Sequence, residues 1–173
     1  LGGHSKGGNL AVYAAATCEA SVQERIFSVW SNDGPGFPRE MLDSPGYLAI
    51  RDRIHPLIPR ASVVGILFEW DPAPETVEST ATGALQHEGL TWQVLGTSFV
   101  RSAGQSRGSR QLDRSLHALL QEMDLPCRRQ LIDDVFSVGT ELGVETLAEM
   151  VAEGRRAQSF RAVSSKLTGI DRE

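Results

Sequence analysis

Leu1-Gly2-Gly3-His4-Ser5-Lys6-Gly7-Gly8 opens the chain with the Gly-x-Ser-x-Gly spacing of a nucleophile elbow, centred on Ser5. An elbow turns a strand directly into a helix and holds its serine at strained backbone angles, so the positions two before and two after it must have almost no side chain. Gly3 and Gly7 meet that demand. The next residues, Asn-Leu-Ala-Val-Tyr-Ala-Ala-Ala at 9–16, are rich in the best helix former. The opening therefore predicts a strand, an exposed serine nucleophile and a helix.

The same glycine-rich turn has other interpretations. A turn of this kind before a helix can cap the helix or bind an anion without any catalysis. A phosphate-binding loop is excluded, because Lys6 precedes its glycine pair instead of following a Gly-x-x-x-x-Gly stretch. The helix-forming residues directly after the turn favour the nucleophile.

Only four residues precede Ser5, although a buried strand should lead into an elbow. We expect an N-terminal part of the protein to be missing from this sequence. In an α/β-hydrolase sheet several strands precede the nucleophile, and a loop among them donates one oxyanion-hole N–H. The other oxyanion donor is the backbone N–H of the residue after the serine, which assigns it to Lys6.

Composition and charge indicate an ordinary globular protein. The 173 residues are 40% hydrophobic and no run of about 18 apolar residues could span a membrane. The net charge of −5 comes from residues 1–100, where 6 basic side chains face 11 acidic ones, so nothing resembles a nucleic-acid footprint. Cys18 and Cys127 have no metal-ligand spacing and are expected to be reduced core thiols, which favours a cytoplasmic location.

The residues after the elbow predict an α/β protein. The predicted elements are a strand over 25–31, a helix over 39–57 broken at Pro45 and Gly46, a central strand over 61–68 and an edge strand over 75–79. This order fits the second half of a doubly wound, mostly parallel sheet.

The composition changes at residues 101–110, where Ser, Gly, Gln and Arg dominate without apolar periodicity. We therefore predict a core domain over 1–100, a linker over 101–110 and a helical extension over 111–173. In the extension, apolar residues recur at helical spacing from Leu112 to Met123 and again from Leu131 to Phe136.

A serine hydroxyl needs a histidine base, and the chain has four histidines. His4 flanks the serine and should be turned away by the elbow, His55 lies near a predicted helix end, and His117 lies in the tail. His87 lies in the loop after the last predicted strand, where this fold places its base. A single histidine is more often an ordinary surface or core residue, but the position of His87 favours a catalytic role.

The base needs a carboxylate partner, and three residues are candidates. The chain order serine, acid, histidine favours the end of the strand predicted over 61–68, so Glu69 ranks first and Asp71 second. Asp33 ranks third, since it follows the preceding strand and its simpler interpretation is a turn aspartate that bonds its own backbone.

Four segments together resemble an Mbeg-like family of lipase-like proteins. They are Gly-His-Ser-Lys-Gly-Gly-Asn-Leu-Ala at 3–11, Asn-Asp-Gly-Pro-Gly-Phe at 32–37, Ser-Val-Val-Gly at 62–65 and Gln-His-Glu-Gly-Leu-Thr-Trp at 86–92. The elbow also resembles that of class 3 lipases, except that lysine stands where those enzymes carry leucine. The resemblance, over roughly residues 1–100, implies an α/β-hydrolase fold with Ser5 as nucleophile and His87 as base.

The sequence thus favours a serine esterase or lipase acting on a small-molecule ester or a lipid through an acyl-enzyme, with no cofactor and no metal. The alternative is a non-catalytic binding or scaffold protein that keeps the elbow for its packing. Reaction of Ser5 with a fluorophosphonate would distinguish the two.

Overall fold

The computed structural model describes residues 1–124, 126–127 and 130. The chain divides into two compact units, Leu1–His117 and Ala118–Glu173. The sheets and every candidate site residue lie in the first unit. The apolar residues from Leu131 to Phe136, expected to be helical, lie outside the described residues.

The first unit alternates strands and helices from the elbow onward. In chain order the elements are β1 (Gly2–His4), α1 (Lys6–Thr17), α2 (Ala20–Gln23), β2 (Val29–Asn32), α3 (Arg39–Leu42), α4 (Pro45–Ile50), β3 (Ile54–Pro59), β4 (Glu75–Val77), β5 (Val94–Leu95), β6 (Ser98–Phe99) and α5 (Arg107–Glu122). Single 3₁₀ turns cover Arg51–Arg53, Gly83–His87 and Gly89–Thr91. The helix predicted over 39–57 is broken, as expected, before Pro45, but its last residues form β3.

The main sheet has four strands in the order β1-β2-β3-β4, and all three pairings are parallel. Parallel neighbours need a crossover, which α1 and α2 supply between β1 and β2, and α3 and α4 supply between β2 and β3. The carboxyl ends of β1 and β2 therefore lie side by side, with His4 opposite Asn32. β5 and β6 form a separate antiparallel hairpin.

One face of the sheet holds the larger core. Val29 and Ile54 are paired across β2 and β3, are buried, and pack with Val12 of α1 and Ile50 of α4. The next pair, Trp30 and His55, points to the opposite face and stacks with ring centroids 4.4 Å apart. The α/β class and the parallel sheet are confirmed. A doubly wound sheet reverses its strand order at one point, and in the described residues the order runs in one direction only, so a doubly wound order is not seen.

The segment over 61–68 is not a strand, which corrects the prediction. Its backbone makes turn hydrogen bonds, from Ser62 N–H to the Pro59 carbonyl at 3.1 Å and from Leu67 N–H to the Val64 carbonyl at 3.0 Å. β3 lies between β2 and β4 and is one of the two central strands, although it contains Pro56 and Pro59. Prolines normally argue against a central strand because they lack an N–H for the ladder, yet five of the six residues of β3 are buried.

The other boundaries agree in part with the sequence prediction. β4 is an edge strand of the main sheet, as the residues 75–79 predicted. α5 begins at Arg107, inside the stretch predicted as a linker, and buried Ser109 donates its hydroxyl to the Ser62 carbonyl at 2.9 Å.

Cys18 and Cys127 are free, but Cys127 is exposed and Cys18 half-buried, so the expectation of core thiols was wrong.

Candidate active site

Ser5 lies at the junction of β1 and α1, as the elbow motif predicts. Its backbone has φ +54° and ψ −130°, a conformation that L-residues rarely adopt. The Ser5 N–H donates to the Asn32 carbonyl at 2.9 Å, which ties the elbow to the end of β2. The strained turn is therefore held by the neighbouring strand.

The glycines around Ser5 have different roles. A Cβ on Gly3 would collide with the backbone of Gly7, and one on Gly8 would lie 2.6 Å from the Ser31 hydroxyl oxygen. A Cβ on Gly7 would meet nothing within 4 Å. The close approaches thus require glycine at positions 3 and 8, whereas the motif pointed to positions 3 and 7.

Asp33 follows β2 at φ +48° and is 0% exposed. Its Oδ2 lies 2.7 Å from Nδ1 of His87. Its Oδ1 accepts from the Ser62 hydroxyl at 2.6 Å and from the Gly65 N–H at 3.0 Å. Both carboxylate oxygens are therefore satisfied, as a buried charged group requires.

His87 lies at the end of the 3₁₀ turn Gly83–His87, and its side chain is 12% exposed. Because Asp33 accepts at Nδ1, the proton of the neutral ring is placed on Nδ1, and Nε2 keeps a free lone pair. The loop is anchored next to it by Gln86, whose Oε1 accepts from the Ala61 N–H at 2.9 Å and whose carbonyl accepts from Trp92 Nε1 at 2.8 Å. This arrangement suits a general base.

Glu69 and Asp71, ranked first and second as the acid, lie elsewhere. The Glu69 carboxylate is half exposed and lies 3.9 Å from Arg39, and that of Asp71 lies 2.7 Å from Arg51 Nη2. Neither has a contact with His87 among the described residues, so the ranking was wrong. The error follows from the strand predicted over 61–68, because the carboxylate against His87 follows β2.

The same segment is held by a buried tyrosine. The Tyr47 hydroxyl donates to the Asp71 backbone carbonyl at 2.7 Å. Burial, the largest influence, raises the pKa of Tyr47 to about 12. The backbone of Asp71 is thus hydrogen-bonded to a core residue, whereas its carboxylate faces an exposed arginine.

The remaining histidines occupy different environments. His4 was expected to be turned away from the site, and this prediction was wrong. Its ring centroid lies 4.6 Å from that of His87, and its Nε2 lies 2.6 Å from the His87 carbonyl oxygen. His55 stacks on Trp30. The side chain of His117 lies outside the described residues.

Lys6, the predicted oxyanion donor, is the first residue of α1 and its side chain is exposed. A helix has no internal acceptor for the N–H of its first residue, so this group is available to a ligand next to Ser5. The helix has no acidic residue in its first turn. The oxyanion role of Lys6 stays a prediction.

Three contributors were missed by the sequence interpretation: Ser62 and Gly65, which hold Asp33, and His4, which contacts His87. The Ser-Val-Val-Gly segment at 62–65 was a signal, since it belongs to the resemblance, but its apolar composition favoured a strand.

In the described part of the chain, no group of three or more His, Cys, Asp or Glu residues is placed to hold a metal ion. Nor does that part contain a helix long and apolar enough to cross a membrane.

Comparisons with known proteins agree with the motifs. Searches of curated proteins and of solved structures each found no match. The model of the Mbeg1-like family matches residues 1–137, which extends the resemblance beyond residue 100 and past the end of α5. With most of its length matched, the chain belongs to the Mbeg1-like family.

Proposed function

We propose that the protein is a serine hydrolase of the α/β-hydrolase kind, which cleaves an ester through a Ser5, His87 and Asp33 triad. The buried contact between Asp33 and His87 carries this proposal, because a fully buried carboxylate beside a partly exposed histidine is the arrangement that orients a catalytic base. The chain order of serine, acid and histidine is that of α/β-hydrolases.

The chemistry follows from the assigned positions. His87 Nε2 takes the proton of the Ser5 hydroxyl as Ser5 Oγ attacks the ester carbonyl, and Asp33 stabilises the imidazolium that forms. The Lys6 N–H donates to the oxyanion of the tetrahedral intermediate. Collapse of the intermediate releases the alcohol, which takes the proton from His87, and leaves an acyl-enzyme that water hydrolyses by the same steps.

The substrate is proposed to be a small-molecule ester or a lipid. The same triad serves thioesters and amides, so the fold alone does not choose the bond. A cytoplasmic location is part of the proposal and is supported by the two free cysteines.

Labelling with a fluorophosphonate tests the proposal. The probe should modify Ser5 of the intact protein, located by peptide mass mapping, and Ser5→Ala should remove both labelling and hydrolysis of p-nitrophenyl esters. Ser79→Ala is a matched control, since that hydroxyl bonds Thr91 Oγ1 and is not part of the elbow. Unlabelled Ser5 together with no ester turnover would support the scaffold alternative.

A further inference from the structure

His4 joins the elbow to the loop that holds the base. Its Nε2 lies 2.6 Å from the backbone carbonyl oxygen of His87. A carbonyl is only an acceptor, so His4 must donate, which fixes the neutral ring of His4 as the Nε2–H form. The two rings are also in contact, with centroids 4.6 Å apart and planes tilted by 41°.

The elbow therefore contacts both the turn that carries Asp33 and the loop that carries His87. The Ser5 N–H donates to the Asn32 carbonyl, one residue before Asp33, and the His4 side chain donates to His87. A Cβ on Gly34 would lie 2.8 Å from the Ser5 carbonyl oxygen, so the turn of Asp33 packs directly on the elbow. The Asp33–His87 hydrogen bond closes this ring of contacts.

One hydrogen bond does not fix a catalytic base. With Nδ1 held by Asp33 alone, the His87 ring could pivot about that contact and move Nε2 relative to Ser5. Other anchors of the loop act on Gln86, through Ala61, Ala81 and Trp92. The bond from His4 acts on His87 itself and reaches it from the residue covalently joined to the nucleophile.

We propose that His4 is a positioning residue, whose Nε2–H holds the His87 carbonyl so that the elbow sets the separation of nucleophile and base. This inference rests on the proposed function. Because misplacement by about 1 Å can cost about 100-fold in rate, the bond matters for turnover more than for substrate binding.

The test compares His4→Phe with His4→Gln in the intact protein. Phenylalanine keeps an aromatic ring without a donor, and glutamine places an amide N–H near the position of Nε2. We expect His4→Phe to lower kcat by about 10- to 100-fold with KM within about threefold, and His4→Gln to restore kcat to within about threefold of the wild type. His55→Phe, which alters a histidine stacked on Trp30, is the matched control and should leave kcat unchanged.

Wild-type kcat in His4→Phe, or equal losses in the phenylalanine and glutamine variants, would overturn the role of the donor. Those outcomes leave the proposed function intact if Ser5→Ala is inactive, whereas an active Ser5→Ala would refute the proposed function itself. A second test uses the wild type and so does not depend on whether a variant folds. In ¹⁵N NMR spectra, the couplings of the neutral His4 ring should show that the proton is on Nε2. A ring protonated at Nδ1 would overturn the inference.

Discussion

The turn after β2 and the segment from Glu69 to Asp71 both carry carboxylates, and they differ in what surrounds them. The Asp33 side chain is 0% exposed and contacts one histidine, one hydroxyl and one backbone N–H. Those of Glu69 and Asp71 are 48% and 36% exposed and face arginines. Water screens an exposed ion pair much more than a buried one, so of the three carboxylates Asp33 is best placed to stabilise a positive charge on His87.

The largest expected difference is between Asp33→Asn and Asp71→Asn. An amide at position 33 no longer favours the Nδ1–H form of His87 and cannot stabilise the imidazolium, so kcat should fall by about 10⁴-fold. At position 71 the change removes an exposed ion pair and should alter kcat by less than about threefold. Ester turnover of the two variants, measured side by side, decides between the regions, and a larger loss in Asp71→Asn would identify Asp71 as the acid instead of Asp33.

Ser62→Ala tests the support of Asp33 without removing the carboxylate. Gly65 N–H remains, but Oδ1 loses its 2.6 Å donor, so we expect about a tenfold loss in kcat and a stability loss of about 1–3 kcal/mol. Ser44→Ala is the control, because that hydroxyl caps α4 and its loss should cost about 1 kcal/mol without affecting kcat. Urea unfolding and turnover together separate the two effects. A Ser62→Ala variant with full activity would show that Gly65 alone suffices.

The smallest expected effect concerns Tyr47, whose hydroxyl joins the Glu69–Asp71 segment to the core through the Asp71 carbonyl. Burial stabilises the neutral form of Tyr47, whose pKa of about 12 lies above the usual value of 10. Its contribution is complete below pH 10 and is lost as the pH rises from about 10 to 12. Wild-type stability should decline over that range, and Tyr47→Phe should show less of this decline. Urea unfolding from pH 8 to 11 measures it, and identical slopes would contradict the assignment.

The local features near the elbow could be predicted from the sequence. The glycine spacing around Ser5 and the alanine-rich stretch after it specify strand, turn and helix locally, and the structure has β1, Ser5 and α1 in those places. His87 was selected by its position after the strands, and the structure places a buried carboxylate against it. Such short-range patterns depend on few tertiary contacts.

The identity of the carboxylate could not be predicted, because it depends on long-range contacts. The apolar run over 61–68 has strand composition, yet Ser62 and Gly65 bond Asp33, 29 and 32 residues away in sequence. β3, with two prolines, lacks strand composition but is central because both its neighbours pair with it. Burial of Asp33 required turns where local composition favoured extended backbone.

Three non-glycine residues of the described chain have positive φ, and two of them are Ser5 and Asp33. A non-glycine residue held in such a conformation costs about 1–3 kcal/mol, which glycine would largely avoid. Selection for stability alone would therefore favour glycine at both positions, as it does in ordinary turns. Under the proposed triad, the side chains at these two positions are retained for the chemistry that they carry. In family members that lack the proposed activity, glycine should therefore be more frequent at positions 5 and 33.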